Sequence, residues 1–253
     1  MPNAIRLATT HVDHERVYRF RYEIYVKEMG RSQQYADHEN CRIEEPLDKT
    51  GRIFLAEDEG GRVVGTVRTN FGRDSDFGYY MDLYRMKCTG CSFPQKVSIS
   101  TKLMVAPELR GGPLATRLAI AAYSHALEHG ILFDFINCNP PLESMFERFG
   151  YRRYTGRIQH PEYGDVLPLV LPVTDLEHLE DIGSPFARIC SDSCPHLRAN
   201  RHLRELIAGF QENRDRVPST TRDRQGEFER RVNFSANFRV NGKSHAAALG
   251  GGI

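Results

Sequence analysis

Residues 97–130 carry the strongest chemical signal in the chain. Alternating apolar positions at Val97, Ile99, Leu103 and Val105 feed a turn that holds Arg110, Gly111, Gly112 and Pro113. An Ala-rich helical pattern then opens at Leu114, Ala115 and Thr116 and stops at Gly130. A strand that delivers a glycine-rich turn to a helix N-terminus presents unpaired backbone N–H groups and the positive end of the helix dipole, which together suit a phosphate. A second group of polar side chains could hold and activate a small molecule. Arg68, between Thr66 and Asn70 in a strand-like run, can take a carboxylate in a bidentate pair. Glu28, Glu44, Glu45 and Asp48 are candidate bases, with Arg21 placed to brace the acidic loop. Asn137 and Asn139 alternate with Ile136 and Cys138, so one side of that run offers amides.

Elements must position these groups. Apolar residues at Val17, Tyr18, Phe20, Ile24 and Tyr25 recur at helical spacing and predict a first helix over 15–28. Residues 30–47 read as a polar loop. Two strands around the acidic turn Asp58-Glu59-Gly60-Gly61 read as a hairpin. Residues 71–96 form a polar excursion. After the central strand and helix, the run ILFDFINCN predicts another strand, closed by Pro140-Pro141, and a short helix ends at Gly150. Strands are expected within 151–171, a short helix at 175–182 and a further helix at 188–209. The fold class is therefore mixed α/β, with the two strands that flank the long helix as parallel neighbours.

Composition sets the bounds. A chain of 253 residues with a formal net charge of +1 gives no global reason to bind nucleic acid or a membrane surface. No run approaches the roughly 18 apolar residues of a membrane-spanning helix. The start of the chain lacks the apolar stretch of a signal peptide, so a cytoplasmic location is expected. Six cysteines do not make a disulfide framework here. Cys88 and Cys91 have ligand-like spacing, and Cys190, Cys194 and His196 could complete a zinc site, but the two groups lie far apart in sequence and no metal is expected. Cys138 has no His close in sequence to activate it as a nucleophile. Beyond residue 210 the apolar content falls, and a flexible tail is expected.

The order of elements resembles the GNAT N-acyltransferase superfamily. RFRYEIYVKE (19–28), GTVRTN (65–70), KLMVAPELRGG (102–112) and FINCNPPLESMFERFGYR (135–152) are similar to a narrower branch, the long-chain N-acyl amino acid synthases and the acyl-homoserine-lactone synthases. The resemblance covers residues 6–187. It implies a GNAT-like acyl-CoA N-acyltransferase fold, with a central mixed sheet, two splayed parallel strands and flanking helices. The implied domain limits are 1–187 for the catalytic domain, 188–210 for a helical extension and 211–253 for the tail.

The resemblance also implies a function: transfer of a long fatty acyl group from an acyl carrier protein or coenzyme A thioester to the amine of an amino acid or similar small molecule. No tightly bound cofactor is implied. The donor's pantetheine would pair with the edge of the splayed strand, and a backbone N–H near Met104 or Val105 would face the thioester oxygen. Arg110, Gly111, Gly112, Leu114, Ala115 and Thr116 would cradle the phosphate, with Asn139 near the arm. Glu28, Asp48, Arg68 and Asn137 would serve acceptor and chemistry. Pro113 stands where the family pattern has a second glycine. It removes one N–H donor from the cradle, which favours the single phosphate of a carrier-protein arm over a pyrophosphate. Phe146 stands where many members of the superfamily place a tyrosine acid, and Tyr151 is offset from it. Arg148, Arg152, Arg153 and Arg157 form a candidate docking face for an acidic carrier. A lactone-forming signal synthase, an acetyl-coenzyme A acetyltransferase and a non-catalytic pantetheine-binding module remain the alternatives.

Overall fold

The computed structural model describes residues 3–193. The chain opens with β1 (Ala4–Leu7) and α1 (His11–Tyr22). Thr10 caps α1 by accepting the Asp13 N–H at 3.1 Å, while Asp13 accepts the Thr10 N–H in return, the reciprocal pair that starts a helix. The helix does not end where its α-form ends. It widens into a π-helical segment, Glu23–Glu28, in which the Met29 N–H reaches Ile24 C=O at 3.0 Å. The 30–47 segment contains more order than a loop, with a small hairpin of β2 (Ala36–Asp37) and β3 (Arg42–Ile43). A 3-10 turn, Pro46–Lys49, follows.

The expected hairpin is present as β4 (Arg52–Glu57) and β5 (Val63–Phe71), paired antiparallel. The 71–96 excursion holds α2 (Tyr80–Leu83) and a 3-10 segment, Met86–Ser92. It folds inward because Tyr80, Tyr84 and Met86 are apolar enough to be buried. The central strand β6 (Val97–Val105) leads through the turn to α3 (Leu114–Glu128), and β7 (Phe133–Cys138) returns. The chain continues through α4 (Glu143–Phe149), β8 (Arg152–Arg153), β9 (Ile158–His160) and β10 (Gly164–Pro172). It then forms α5 (Leu176–Asp181) and α6 (Ala187–Ser193).

The main sheet runs β1-β4-β5-β6-β7-β10-β8, with β9 on β10. Only the β6–β7 pair is parallel, and its register covers just Val97–Phe133, Ser98–Asp134 and Ile99–Phe135. Past those residues the two strands part, which leaves an open edge on β6 from residue 100 onward. Side chains alternate across the sheet. Phe133 and Phe135 join the core formed with the 71–96 excursion, while Ile136 and Cys138 face α3 and α4. Gly65 allows α3 to lie close on β5, since a Cβ there would sit 2.9 Å from a Leu118 methyl and 3.2 Å from the Met104 carbonyl.

Phe186 stacks on Tyr123 with ring centroids 4.2 Å apart, and Cys190 of α6, inside the expected 188–210 extension, is fully buried. The rest of the expected 188–210 helix and the 211–253 tail lie outside the described residues, as do Cys194 and His196. Among the described residues, no helix is long and apolar enough to cross a membrane.

Candidate active site

Where β6 and β7 part, a cavity of about 400 Å³ opens between the strands, α3 and α4. One side is apolar. Ala119, Ala122, Tyr123 and Ala126 face it from α3, Ile136 and Cys138 from β7, and Phe146 and Phe149 from α4. The alanines explain the space, because on one face of a helix packed against a sheet their single carbons leave room that leucines would fill. Phe146, at the place of the family tyrosine, is a wall of this chamber and meets Tyr151 edge-on at 5.7 Å. Tyr151 lines the same cavity and donates to Asp134 at 2.5 Å. Burial, with the Asp134 carboxyl beside it, pushes the Tyr151 phenol well above its ordinary range, so it holds its proton tightly. Asp134 also accepts from Ser98 and Ser100, and burial raises its own pKa despite those bonds. Burial pushes the Cys138 thiol up to about 12, which leaves it an inert wall residue.

The other side is polar and aromatic, with Tyr25, Arg31, Tyr80, Lys102 and Tyr163. Lys102 reaches it through an irregularity in β6. Thr66 lies opposite Met104 but Arg68 opposite Thr101, so Lys102 and Leu103 share one partner position as a bulge. Lys102 takes φ +57°, a left-handed conformation that costs a non-glycine residue about 1–2 kcal/mol. The bulge places its ammonium 4.7 Å from the Tyr25 ring centre and 2.5 Å from the Tyr163 hydroxyl, to which it donates.

Behind Lys102 lies a buried ionic cluster. Arg21 donates to both oxygens of Asp48 at 2.9 and 2.8 Å. Arg68 donates to Asp48 at 2.8 Å and to Thr101 at 3.1 Å, and pairs with Glu45 at 2.8 Å. Glu45 in turn pairs with Lys102. Burial opposes charge on Glu45, but Lys102 and Arg68 outweigh it and hold the carboxyl well below the usual carboxylate range. Burial likewise opposes charge on Asp48, and Arg21 and Arg68 prevail there.

Several sequence expectations change against this geometry. Arg68 is not a clamp in the cavity wall: its side chain is wholly buried and committed to Asp48 and Glu45. Asp48 is locked between two guanidiniums and has no freedom to act as a base. Glu28 is engaged by Arg110, which it binds through both oxygens at 2.5 and 2.8 Å. Arg110 also donates to Val105 C=O at 3.1 Å, so it ties the donor turn to the end of the first helix and is not a free phosphate ligand.

Gly111, Gly112, Leu114, Ala115 and Thr116 form the turn and first helical residues where expected, outside the cavity wall. Gly111 sits at φ +76°, and no side chain caps α3, so its first N–H groups stay open to an anion. Met104 and Val105 line the cavity on the open edge of β6. Asn137 and Asn139 also line it, and Asn137 donates to the Tyr84 hydroxyl. Cys88 and Cys91 are both exposed.

The architecture and the cleft between parted parallel strands define the class of fold, GNAT-like. The family is more specific. Residues 16–172 match the model of the N-acyl amino acid synthase FeeM, and the chain belongs to that family. Solved structures agree on the fold. FeeM, an N-acyl amino acid synthase from uncultured soil microbes, superimposes with a TM-score of 0.56 at 16% identity over 74% of this chain and 98% of its own. The coenzyme A-dependent acyl-homoserine lactone synthase BjaI gives 0.54 at 20% identity over 73% and 90%. TofI, solved with an inhibitor and MTA, gives 0.56 at 14% identity over 75% and 100%. No curated protein matches the chain by sequence. Family membership makes the chain an acyltransferase and sets aside the reading as a binding-only module.

Proposed function

We propose that the enzyme transfers a long fatty acyl group from a phosphopantetheine thioester, carried by an acyl carrier protein, to the amine of an amino acid. The observation that carries this reading is the apolar chamber under α3, which continues from the open edge of β6 and is walled by alanines that leave space for an acyl chain. The pantetheine adds to that edge as an extra strand and brings the thioester to Met104 and Val105. A backbone N–H there receives the developing oxyanion. The acyl chain runs into the chamber, and burial of its methylenes supplies the binding energy that orients the carbonyl. The neutral amine approaches from the aromatic side and attacks the carbonyl carbon; as the C–S bond of the tetrahedral adduct breaks, the nitrogen loses one proton and the departing thiolate takes one up to leave as the thiol. No side-chain nucleophile is required, because the thioester is already activated.

Pro113 supports a carrier protein as donor, since it withholds one N–H from the anion site. Docking through Arg148, Arg152, Arg153 and Arg157 is more constrained. Arg152 pairs with Asp175, Arg153 with Glu143 and Arg157 with Asp165, so an acidic partner must displace those carboxylates or rely on Arg148.

The test is a competition. The purified chain receives equal concentrations of long-chain carrier-protein and coenzyme A thioesters with an amino acid pool, and products are read by mass spectrometry. Long-chain N-acyl amino acids drawn mainly from the carrier thioester support the reading. Products drawn mainly from the coenzyme A thioester overturn the carrier protein as donor, and no long-chain N-acyl amino acid from either donor overturns the reading as a whole.

A further inference from the structure

We propose that Arg31 is the carboxylate-binding residue for the acceptor, and that the enzyme therefore requires amines bearing a free carboxylate next to the amino group. This rests on the amino acid acceptor of the preceding reading. Three cations line the cavity, and their partners differ. Lys102 is matched by Glu45, and Arg110 is held by both oxygens of Glu28. Arg31 makes no ion pair among the described residues.

Its neighbours are two aromatic rings instead. Its guanidinium carbon lies 5.8 Å from the Tyr25 ring centre and 5.8 Å from that of Tyr163, and the two rings are 6.0 Å apart. The backbone is fixed as well, by the Arg31 N–H on Tyr25 C=O at 2.9 Å. A guanidinium beside aromatic rings, with no ion pair of its own, has N–H donors left for a ligand, and its planar fork suits a carboxylate taken in two parallel hydrogen bonds. Arg31 is half-buried, so such a pair is shielded from water more than a surface pair.

The cluster behind Lys102 sets the cations Arg21, Arg68 and Lys102 against the anions Glu45 and Asp48, an excess of one positive charge. Glu162, whose pKa burial raises and Lys102 lowers, is a further carboxyl that interacts with Lys102.

The test compares an amino acid with its own carboxamide as acceptors for the wild type, Arg31→Gln and Arg31→Lys, with the donor KM measured for each. The wild type should favour the free acid by roughly ten- to a hundredfold in kcat/KM, as expected for hydrogen bonds to a charged group. Arg31→Gln should lose most of that preference with the donor KM unchanged, and Arg31→Lys should retain part of it. The ratio is internal to each variant, so a partly unfolded preparation does not distort it. An acid-to-amide preference left intact in Arg31→Gln would overturn the assignment, with the amino acid acceptor itself still standing. A raised donor KM with both acceptors falling equally would place Arg31 on the donor and also overturn it. Failure of the wild type to acylate any amino acid would remove both readings.

Discussion

Filling the chamber should convert a long-chain enzyme into a short-chain one. Ala122 faces the cavity from the middle of α3, between Ala119 and Ala126. Replacing it with phenylalanine puts a ring into space that acyl methylenes would occupy. Each methylene buried in an apolar site contributes about 0.8 kcal/mol, so each one the wild type accommodates should raise kcat/KM about fourfold. A ring that displaces on the order of four methylenes removes about 3 kcal/mol, on the order of a hundredfold, from long donors only. The assay is a series of saturated acyl donors with one acceptor. Wild-type kcat/KM should climb with chain length and then level off, whereas Ala122→Phe should level off several carbons earlier and match the wild type on the shortest donors. A uniform fall across all lengths, or an unchanged profile, would refute the placement of the chain under α3.

The remaining expectations concern the polar side. Asp48→Asn removes the anion between Arg21 and Arg68 and leaves two buried guanidiniums short of a partner, which should cost about 3–5 kcal/mol in urea unfolding. A loss under about 1 kcal/mol would show that the cluster is not a structural support. His160 is buried beside Lys102, and these two effects, burial first, lower its pKa to about 4 from 6.5. The unfolded chain takes up a proton below the higher value and the folded chain only below the lower one. Stability should therefore fall as pH drops from about 6.5 to about 4, by about 3 kcal/mol from this group. His160→Gln should flatten that part of the stability–pH curve, and an unchanged slope would contradict the assignment.

The frame of the site was readable from periodicity. Alternation in β4 to β7 and the Ala-rich pattern of α3 identified the sheet and its long helix, because burial on one side imposes those periods. The parallel β6–β7 pair followed from the long helix between them. The side chains that meet in the cavity were less legible. Lys102 reads as an ordinary strand position, and only the bulge, a left-handed residue with no glycine to announce it, turns it inward. Glu28 and Arg110 lie 82 residues apart, and no local rule pairs them. Arg68 was singled out correctly as unusual, but a buried strand arginine can face a ligand or a carboxylate of its own protein, and spacing does not distinguish the two. Asp134 did leave a signal, a single charge inside the apolar run ILFDFINCN. Arg31 left none, since its role depends on two tyrosines from opposite ends of the domain.

The most direct measurement is a mass spectrum of the lipids extracted from cells that overproduce the chain, set against cells that overproduce Ala122→Phe. Assignment of the chamber to the acyl chain requires a new long-chain N-acyl amino acid with a free carboxylate in the first extract, and a shift to shorter chains in the second. A new acylated lactone, an acetylated amine, or a product of the same chain length from both proteins would contradict it.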